Sequence, residues 1–344
     1  STLGSLTSIR PGFLGGARNA GGAERLHSME HAALQKRRST DCRRLVTFPA
    51  APRPDCPAVV PTRLCRPLAG ASKKMSLSRL FRRRDKVPFA KWGHEVRQFD
   101  LPADGRVDYA QWLHPYETPK PMQQAEIDGL RRFIRPGDFC IDIGAHTGDT
   151  TVPIALAAGA EGCVLALEPN PYVYQVLEVN AGLNENSTNI IPQCFAATQQ
   201  NGSFVFHYSD ASFCNGGYRS AQAWRLFRRR YPLTVEGRQL LPHLRKHFGQ
   251  YLPRLAYVKV DAEGYDRTIL ASILPVLREQ RPVIRTEVFR KLVARERREL
   301  FDLFVDNGFD VFRFCGGAEP QGEPIDSDAM VTQQHFDVLA IPRA

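Results

Sequence analysis

The sequence contains no long hydrophobic run. No stretch approaches the roughly 18 consecutive apolar residues that are typical of a membrane-spanning helix, so no transmembrane segment is expected. The chain also lacks the positively charged and then apolar pattern of a secretory signal. None of the 8 cysteines forms a Cys-x-x-Cys pair or a cluster with histidine, so no metal site is predicted from them. Scattered thiols of this kind are typical of a reducing compartment, which predicts a cytoplasmic protein.

The main part of the chain has almost no net charge. Residues 1–74 carry 13 Lys and Arg against 4 Asp and Glu, which accounts for +9 of the formal net charge of +10. The rest of the chain therefore lacks the excess of positive charge that is typical of proteins that bind nucleic acid. Residues 1–74 have no strand or helix periodicity, and their Gly, Ala, Pro and Arg content predicts a disordered extension. Two explanations stay open: an organellar transit peptide, or an extension upstream of a natural start at Met75.

The patterns downstream of residue 74 divide the chain into two further segments. Residues 75–121 mix aromatic and turn residues, with Asp104-Gly105 between alternating runs, and predict a small N-terminal subdomain that contains a hairpin. Residues 122–344 alternate between helical and strand patterns, which predicts an α/β domain with a mostly parallel sheet and helices on both faces. The predicted helices cover 122–135, 149–158, 171–183, 220–230, 237–248, 265–277 and 292–306. The predicted strands cover 139–143, 163–167, 190–196, 203–208, 256–260, 283–288, 309–314 and 336–341.

A glycine turn within residues 139–151 is the centre of the predicted domain. Residues 139–143 form an apolar strand, Gly144 allows a sharp turn, and the start of a helix follows. This order of strand, turn and helix N-terminus predicts a cofactor site. The turn lacks the G-x-G-x-x-G pattern of dinucleotide sites, because His146 and Asp149 stand where the second and third glycines belong.

The pattern present instead is D-x-G-A-x-x-G, from Asp142 to Gly148. Glu168 ends the next strand, where a carboxylate can accept hydrogen bonds from both hydroxyls of a ribose. A nucleoside that has no phosphates and carries a cationic sulfonium fits such an acidic, glycine-lined site. The residues therefore indicate S-adenosylmethionine as the cofactor.

Three sequence blocks together resemble the FkbM family of methyltransferases. They are Asp142-Ile-Gly-Ala-His-Thr-Gly148, then Glu168-Pro-Asn-Pro171 with Asn180 and Asn184 downstream, and Val258-Lys-Val-Asp-Ala-Glu-Gly-Tyr265. The resemblance covers 122–341. It implies the class I methyltransferase fold, a Rossmann-like sheet of seven strands with the last one antiparallel, and methyl transfer from S-adenosylmethionine, in most assigned members to an oxygen. One departure is Thr198-Gln199-Gln200, since an acidic residue is common after the third strand.

The resemblance also implies which residues meet the cofactor. Carried onto the matching positions of this sequence, they are Asp142, Gly144, Gly148 and Glu168. Ala145 and Asn170, in the same sequence blocks, are further candidates for cofactor contact. The block from Asp261 to Gly264 is the family's signature after the fourth core strand.

Acidic residues gather where the predicted strands end, and ligands bind beyond the carboxyl ends of such strands. Asp261 is our candidate for the base that deprotonates an acceptor hydroxyl, with Glu263 and His146 as rivals. A histidine in such a turn, however, more often bonds to the backbone. In one alternative, Asp261 and Glu263 only cap the following helix and order its loop. In another, Asp261 and Glu287 hold a divalent cation, but two carboxylates are too few to predict a metal.

Residues after the strand at 203–208 are predicted to meet the acceptor. Asn215 opens a turn pair, which indicates a tight loop near the site or a simple hairpin. A helix near 220–230 places Trp224 on one face and Arg228 on the other. It is either a lid that recognises an anionic acceptor group or a helix with a buried aromatic stripe and a solvated arginine face. Glu287 completes the predicted acceptor contacts.

These observations predict an S-adenosylmethionine-dependent methyltransferase that acts on a hydroxyl of a small or glycan-like metabolite. Methylation of nucleic acid is an alternative, although the near-neutral body and the lack of an Asn-Pro-Pro-aromatic block argue against it. A non-catalytic, S-adenosylmethionine-binding scaffold is a third alternative. The presence of Gly144, Gly148 and Glu168 indicates that the cofactor binds, but it does not distinguish an active enzyme from a non-catalytic protein.

Overall fold

A computed structural model of the chain describes residues 88–214, 216–217 and 231–343. The predicted extension 1–74 and Met75 lie outside the described residues, as do Asn215, Trp224, Arg228 and the predicted helix near 220–230. Within the part that is described, no helix is long and apolar enough to cross a membrane.

The described residues form an α/β structure. The strands are β1 (His94–Leu101), β2 (Gly105–Trp112), β3 (Phe139–Ile143), β4 (Cys163–Leu167), β5 (Ile190–Gln193), β6 (Ala196–Ala197), β7 (Gly202–Tyr208), β8 (Gly216–Gly217), β9 (Tyr231–Arg238), β10 (Leu255–Val260), β11 (Val283–Val288), β12 (Phe309–Phe314), β13 (Gln321–Pro324) and β14 (Phe336–Pro342). The helices are α1 (Gln124–Leu130), α2 (Thr151–Ala158), α3 (Pro171–Leu183), α4 (Leu240–His247), α5 (Asp266–Ser272), α6 (Leu274–Gln280), α7 (Ala294–Val305) and α8 (Ala329–Thr332).

The main sheet has the order β5-β4-β3-β10-β11-β14-β12-β13. Strands β5, β4, β3, β10 and β11 are parallel to one another, and β14 runs antiparallel to both of its neighbours. The implied antiparallel last strand is therefore confirmed. The implied count of seven was one too low, because β13 adds a short antiparallel edge strand to β12. The chain reverses before it through Gly316 and Gly317, which both have a positive φ.

Helices cover both faces of this sheet, as the alternating pattern predicts. Successive side chains of a strand point to opposite faces. In β3, the side chains of Phe139, Ile141 and Ile143 join a buried cluster with residues of α4, α5, α6 and α7. Cys140 joins a second buried cluster with residues of α1, α2 and α3. Two apolar cores thus sandwich the sheet.

Several elements differ from the sequence-based expectation. Residues 231–238, for which the sequence predicts no strand, form β9, and the helix expected over 237–248 begins only at Leu240. Strand β9 pairs antiparallel with β7 in a second sheet of order β6-β9-β7-β8. The helix expected over 265–277 is two helices that meet at Ile273. The break follows from Pro275, which has no N–H and whose ring would clash with the carbonyl of residue 271 in a continuous helix.

The helix expected over 122–135 ends at Leu130, and turns carry the chain onward.

The predicted hairpin around Asp104-Gly105 is confirmed as β1 paired with β2. Asn180 of α3 and Asn184, the residue that caps the C-terminus of this helix, hold the hairpin to the main domain. The Asn180 amide accepts from the Ala110 N–H at 2.6 Å and donates to its carbonyl at 3.0 Å. Asn184 makes the same pair of bonds with Asp108, at 3.0 and 2.8 Å. Both amides therefore pair with the backbone of β2 much as a neighbouring strand would.

Candidate functional site

A cavity lies at the carboxyl ends of β3, β4 and β10, opposite the second sheet. It contains about 700 Å³ of empty space, part of it open to solvent. Its wall brings together four residues that the sequence predicts for the site: Gly144, Glu168, Asp261 and Glu263. Phe206 and Tyr208 of β7 close the opposite side.

Gly144 is required by a close backbone approach. Its φ is +75°, and a Cβ at this position would lie 2.0 Å from the carbonyl oxygen of Asp261. The sequence suggested that a ligand approaches this glycine, but the closest approach is by the protein's own β10 end. The N–H groups of Gly144 and Ala145 both donate to Leu167 O, at 2.9 and 3.0 Å. The Ala145 side chain is also fully buried, and its predicted contact with the cofactor stays a prediction.

Gly148 lies away from the cavity. A Cβ there would be 3.1 Å from Leu177 Cδ1 of α3, so the glycine allows the turn to pack against this helix. The side chain of Asn170 is held by two bonds: its Oδ1 accepts from Tyr172 N at 3.0 Å and caps α3, and its Nδ2 donates to Phe213 O at 2.6 Å. Neither residue lines the cavity, and the predicted contacts of both with the cofactor stay predictions.

Glu168 lies on the cavity wall and is held by the backbone. Its Oε2 accepts from His146 N at 2.9 Å and its Oε1 from Asn170 N at 2.8 Å. The residue is only 7% exposed, and this burial raises the pKa of Glu168 above its ordinary value. Each carboxylate oxygen has two lone-pair sites, so both can still accept a hydrogen bond from a ligand hydroxyl. This geometry fits the two hydroxyls of a ribose.

Asp142 lies beneath the turn instead of on the cavity wall. It is fully buried, and its Oδ2 accepts from the Thr150 hydroxyl at 2.8 Å and the Thr151 hydroxyl at 2.7 Å. Its Oδ1 lies 3.2 Å from Lys259 Nζ. This carboxylate therefore ties the turn to the start of α2, and the implied contact between Asp142 and the cofactor stays a prediction.

Lys259 is the residue that the sequence analysis missed. It is 4% exposed, and its ammonium donates to Gly144 O at 2.9 Å and lies 3.7 Å from Asp261 Oδ2. Burial lowers its pKa, but the charges of Asp142 and Asp261 outweigh this effect and hold the pKa above its usual value. The sequence did contain a sign of this role: a lysine stands inside an otherwise apolar strand, and a buried charge requires partners. Lys259 joins the turn and the candidate base into one unit.

Asp261 is the best-placed candidate base. Its backbone N–H donates to Ile143 O at 3.0 Å, while its side chain on the cavity wall is 50% exposed. The carboxylate can therefore meet an acceptor. His146, a rival, is not among the residues that line the cavity; its Nε2 lies 3.9 Å from Glu117 Oε2. Glu263 also lines the cavity, with a φ of +54°.

The loop after β10 is ordered by a residue that the sequence analysis did not single out. Asp266 accepts from Ala262 N at 3.3 Å and Gly264 N at 3.0 Å, and it is 1% exposed. Burial, together with the charge of Asp261, raises the pKa of Asp266 to about 7. Asp266 therefore orders part of this loop, and the alternative in which Asp261 and Glu263 only order it stays a prediction.

Glu287 is the penultimate residue of β11 and is 9% exposed. Its Oε1 lies 3.2 Å from His335 Nδ1, and its Oε2 has no hydrogen-bond partner within the described residues. Burial, then the charges of Asp261 and Asp266, raises the pKa of Glu287 to about 9. Across the part of the chain that the structure describes, no group of three or more His, Cys, Asp or Glu side chains is placed to hold a metal ion.

The raised pKa of Glu287 predicts a pH-dependent stability. In the range from pH 4.5 to about 9, the folded protein keeps a proton that the unfolded chain has lost, so the free energy of unfolding falls as pH rises. Glu287→Gln removes this dependence. We expect the stability of the variant relative to the wild type to increase with pH, by at most about 1.4 kcal/mol per pH unit. Urea unfolding between pH 5 and 9 measures it. Glu279→Gln on the exposed face of α6 is the control, and parallel curves for Glu287→Gln and wild type would refute the prediction.

Known proteins share features with this chain. A model of the Methyltransferase FkbM domain matches residues 142–311. No protein of curated function matches. The O-methyltransferase from Bacillus cereus in complex with SAH is 12% identical, with 65% of this chain and 84% of that chain covered and a TM-score of 0.37. Methyltransferase FkbM from Methylobacillus flagellatus KT is 11% identical, with 61% of this chain and 44% of that chain covered and a TM-score of 0.36. These structural similarities are weak, and the family match is the stronger finding.

Proposed function

The chain belongs to the FkbM family of S-adenosylmethionine-dependent methyltransferases, and we propose that it methylates a hydroxyl group of a small or glycan-like metabolite. The observation that carries the proposal is the position of Asp261, half exposed on the wall of the same cavity as Glu168. A base beside the donor site is what transfer to a hydroxyl requires, because the acceptor oxygen must lose its proton.

The cavity fits the nucleoside end of the cofactor. Glu168 has lone pairs for the ribose hydroxyls, and Phe206 and Tyr208 offer aromatic surface. Among the described residues that line the cavity there is no lysine or arginine, so a phosphate would meet no counter-charge. The acidic residues Glu168, Asp261 and Glu263 instead suit a cationic ligand.

The chain's own residues divide the work of the reaction. S-adenosylmethionine, when bound, supplies a methyl group on an electrophilic sulfonium. Glu168 would hold the ribose, and Asp261 would accept the proton of the acceptor hydroxyl as the oxygen becomes nucleophilic. Lys259 positions Asp261 and the Gly144 carbonyl together, so the base keeps a fixed place relative to the turn.

Calorimetric titration with S-adenosylhomocysteine tests the cofactor assignment. We expect the wild type to bind, and Glu168→Gln to bind about 10- to 100-fold more weakly. The glutamine amide replaces one accepting oxygen by an NH₂ group. That group cannot accept a hydrogen bond from a backbone N–H or from a ribose hydroxyl. Glu178→Gln, an exposed change on α3, is the control and should bind like the wild type. The assignment fails if the wild type shows no binding below millimolar concentration.

Transfer of radiolabelled methyl groups into cell extracts then tests the acceptor class. We expect the label in a low-molecular-mass product or a glycan, attached through oxygen. Label in nucleic acid would refute the acceptor proposal. Cofactor binding without transfer to any fraction would favour the scaffold alternative.

A further inference from the structure

A second group of charges adjoins the turn, on segments that the proposed function does not use. Glu117 lies just upstream of α1, and its side chain is only 6% exposed. Its Oε1 lies 3.3 Å from Lys120 Nζ, at the long end of hydrogen-bond distances, and accepts no well-formed hydrogen bond from the described residues. Among the residues that the structure describes, the partners of its Oε2 are His146 Nε2 and Cys214 Sγ, each at 3.9 Å. A buried carboxylate with such weak partners is costly unless a donor is supplied.

Lys120 provides the opposite charge. Its ammonium lies 2.9 Å from Asp149 Oδ2 and 3.3 Å from Glu117 Oε1. Its side chain is 24% exposed, so it remains within reach of a ligand. The other lysine beside the turn, Lys259, is buried between Asp142 and the Gly144 carbonyl and is committed there.

His146 links this group to the cavity. Its backbone N–H donates to Glu168 Oε2 at 2.9 Å, on the cavity wall, and its ring reaches toward Glu117. Asp149, which holds Lys120, lies three residues further along the same turn. One residue, His146, therefore contacts both the carboxylate that would hold the ribose and the charged group.

A ligand that places an amino-acid zwitterion here needs an acceptor for its ammonium and a cation for its carboxylate. The described cavity lining offers no lysine or arginine, so the cation must come from elsewhere. We propose that Glu117 and Lys120 form the subsite for the amino-acid end of the cofactor, with Glu117 accepting its α-ammonium and Lys120 pairing with its α-carboxylate. The proposal rests on the cofactor assignment made above and extends it to residues outside the family match, which begins at residue 142.

Two ligands that differ only in this end test the proposal. S-adenosylhomocysteine carries the amino acid, whereas 5′-methylthioadenosine has the same nucleoside and sulfur without it. By calorimetry, we expect Glu117→Gln and Lys120→Met each to bind S-adenosylhomocysteine at least about tenfold more weakly than the wild type, because each loses a charge-assisted hydrogen bond. Their affinity for 5′-methylthioadenosine should stay within about twofold of the wild type.

The controls are Glu161→Gln and Lys91→Met, the same changes at exposed positions. An equal loss of affinity for both ligands would mean that the group only supports the turn, and it would overturn the proposal. Unchanged affinity for S-adenosylhomocysteine would overturn it as well. A wild-type protein that binds 5′-methylthioadenosine as tightly as S-adenosylhomocysteine would refute the subsite but keep the nucleoside assignment. A wild type that binds neither ligand would refute both.

Discussion

Asp261→Asn is expected to lower the rate of methyl transfer by about 10²- to 10⁴-fold, the usual contribution of a positioned base. The amide has nearly the same shape but cannot take the proton of an acceptor hydroxyl. The backbone of Asp261, which bonds to Ile143 O and lies against Gly144, is unchanged by the substitution. Affinity for S-adenosylhomocysteine should therefore stay within a few-fold of the wild type. Single-turnover transfer from labelled cofactor, together with calorimetry, measures both quantities.

The rival bases supply the comparison. Glu263→Gln and His146→Gln should each leave more activity than Asp261→Asn. If Asp261→Asn retains turnover while one of the rivals loses it, that rival is the base. If all three variants retain turnover, none of the three side chains is the base and the catalytic assignment is wrong.

Gly144→Ala is expected to destabilise the protein by more than about 4 kcal/mol, at the upper end for a single substitution. The added Cβ would lie 2.0 Å from Asp261 O, so the ends of β3 and β10 would have to separate. Neither contact atom is part of a flexible side chain that can move aside. Thermal unfolding measures the loss of stability. Titration with S-adenosylhomocysteine should show that binding is lost together with the fold of the turn.

Gly105→Ala separates the clash from backbone strain. Gly105 has a φ of +71°, close to the +75° of Gly144, but no atom lies within 4 Å of a Cβ built there. This variant should cost only the roughly 1–2 kcal/mol of a left-handed residue. Equal melting temperatures for the two variants would show that the close approach of Asp261 O is not the reason why position 144 requires glycine.

The sequence was sufficient to locate the cavity wall because parallel strands end at a common edge. The bounds of β3, β4 and α3 agree with the predicted ones, and Gly144, Glu168 and Asp261 meet as expected. The alternation of side chains along β3 also accounts for the position of Asp142. Residue 142 shares a strand face with Cys140, which packs toward α2, so its side chain had to point beneath the turn.

Other features depend on partners that no local pattern reveals. Lys259 belongs to an apolar strand, and its role is visible only once Asp142 and Gly144 of the neighbouring strand are in place. The strand at Tyr231–Arg238 does alternate, with Tyr231, Leu233 and Val235 on one side, but Pro232 and Gly237 weaken the pattern. Its pairing with β7 stabilises it, and that is a long-range contact.

The pairing of Asn180 and Asn184 with β2 limits how far the chain can be truncated from its N-terminal side. The family match begins at residue 142, inside β3, and the sequence pattern suggests a boundary near residue 122. A fragment that starts at either point would leave both amides without their backbone partners. It would also remove Tyr109, a fully buried side chain whose hydroxyl bonds to Thr147 in the turn at 2.7 Å. The smallest piece of this chain that can fold and bind its cofactor therefore has to include the hairpin from His94 onward.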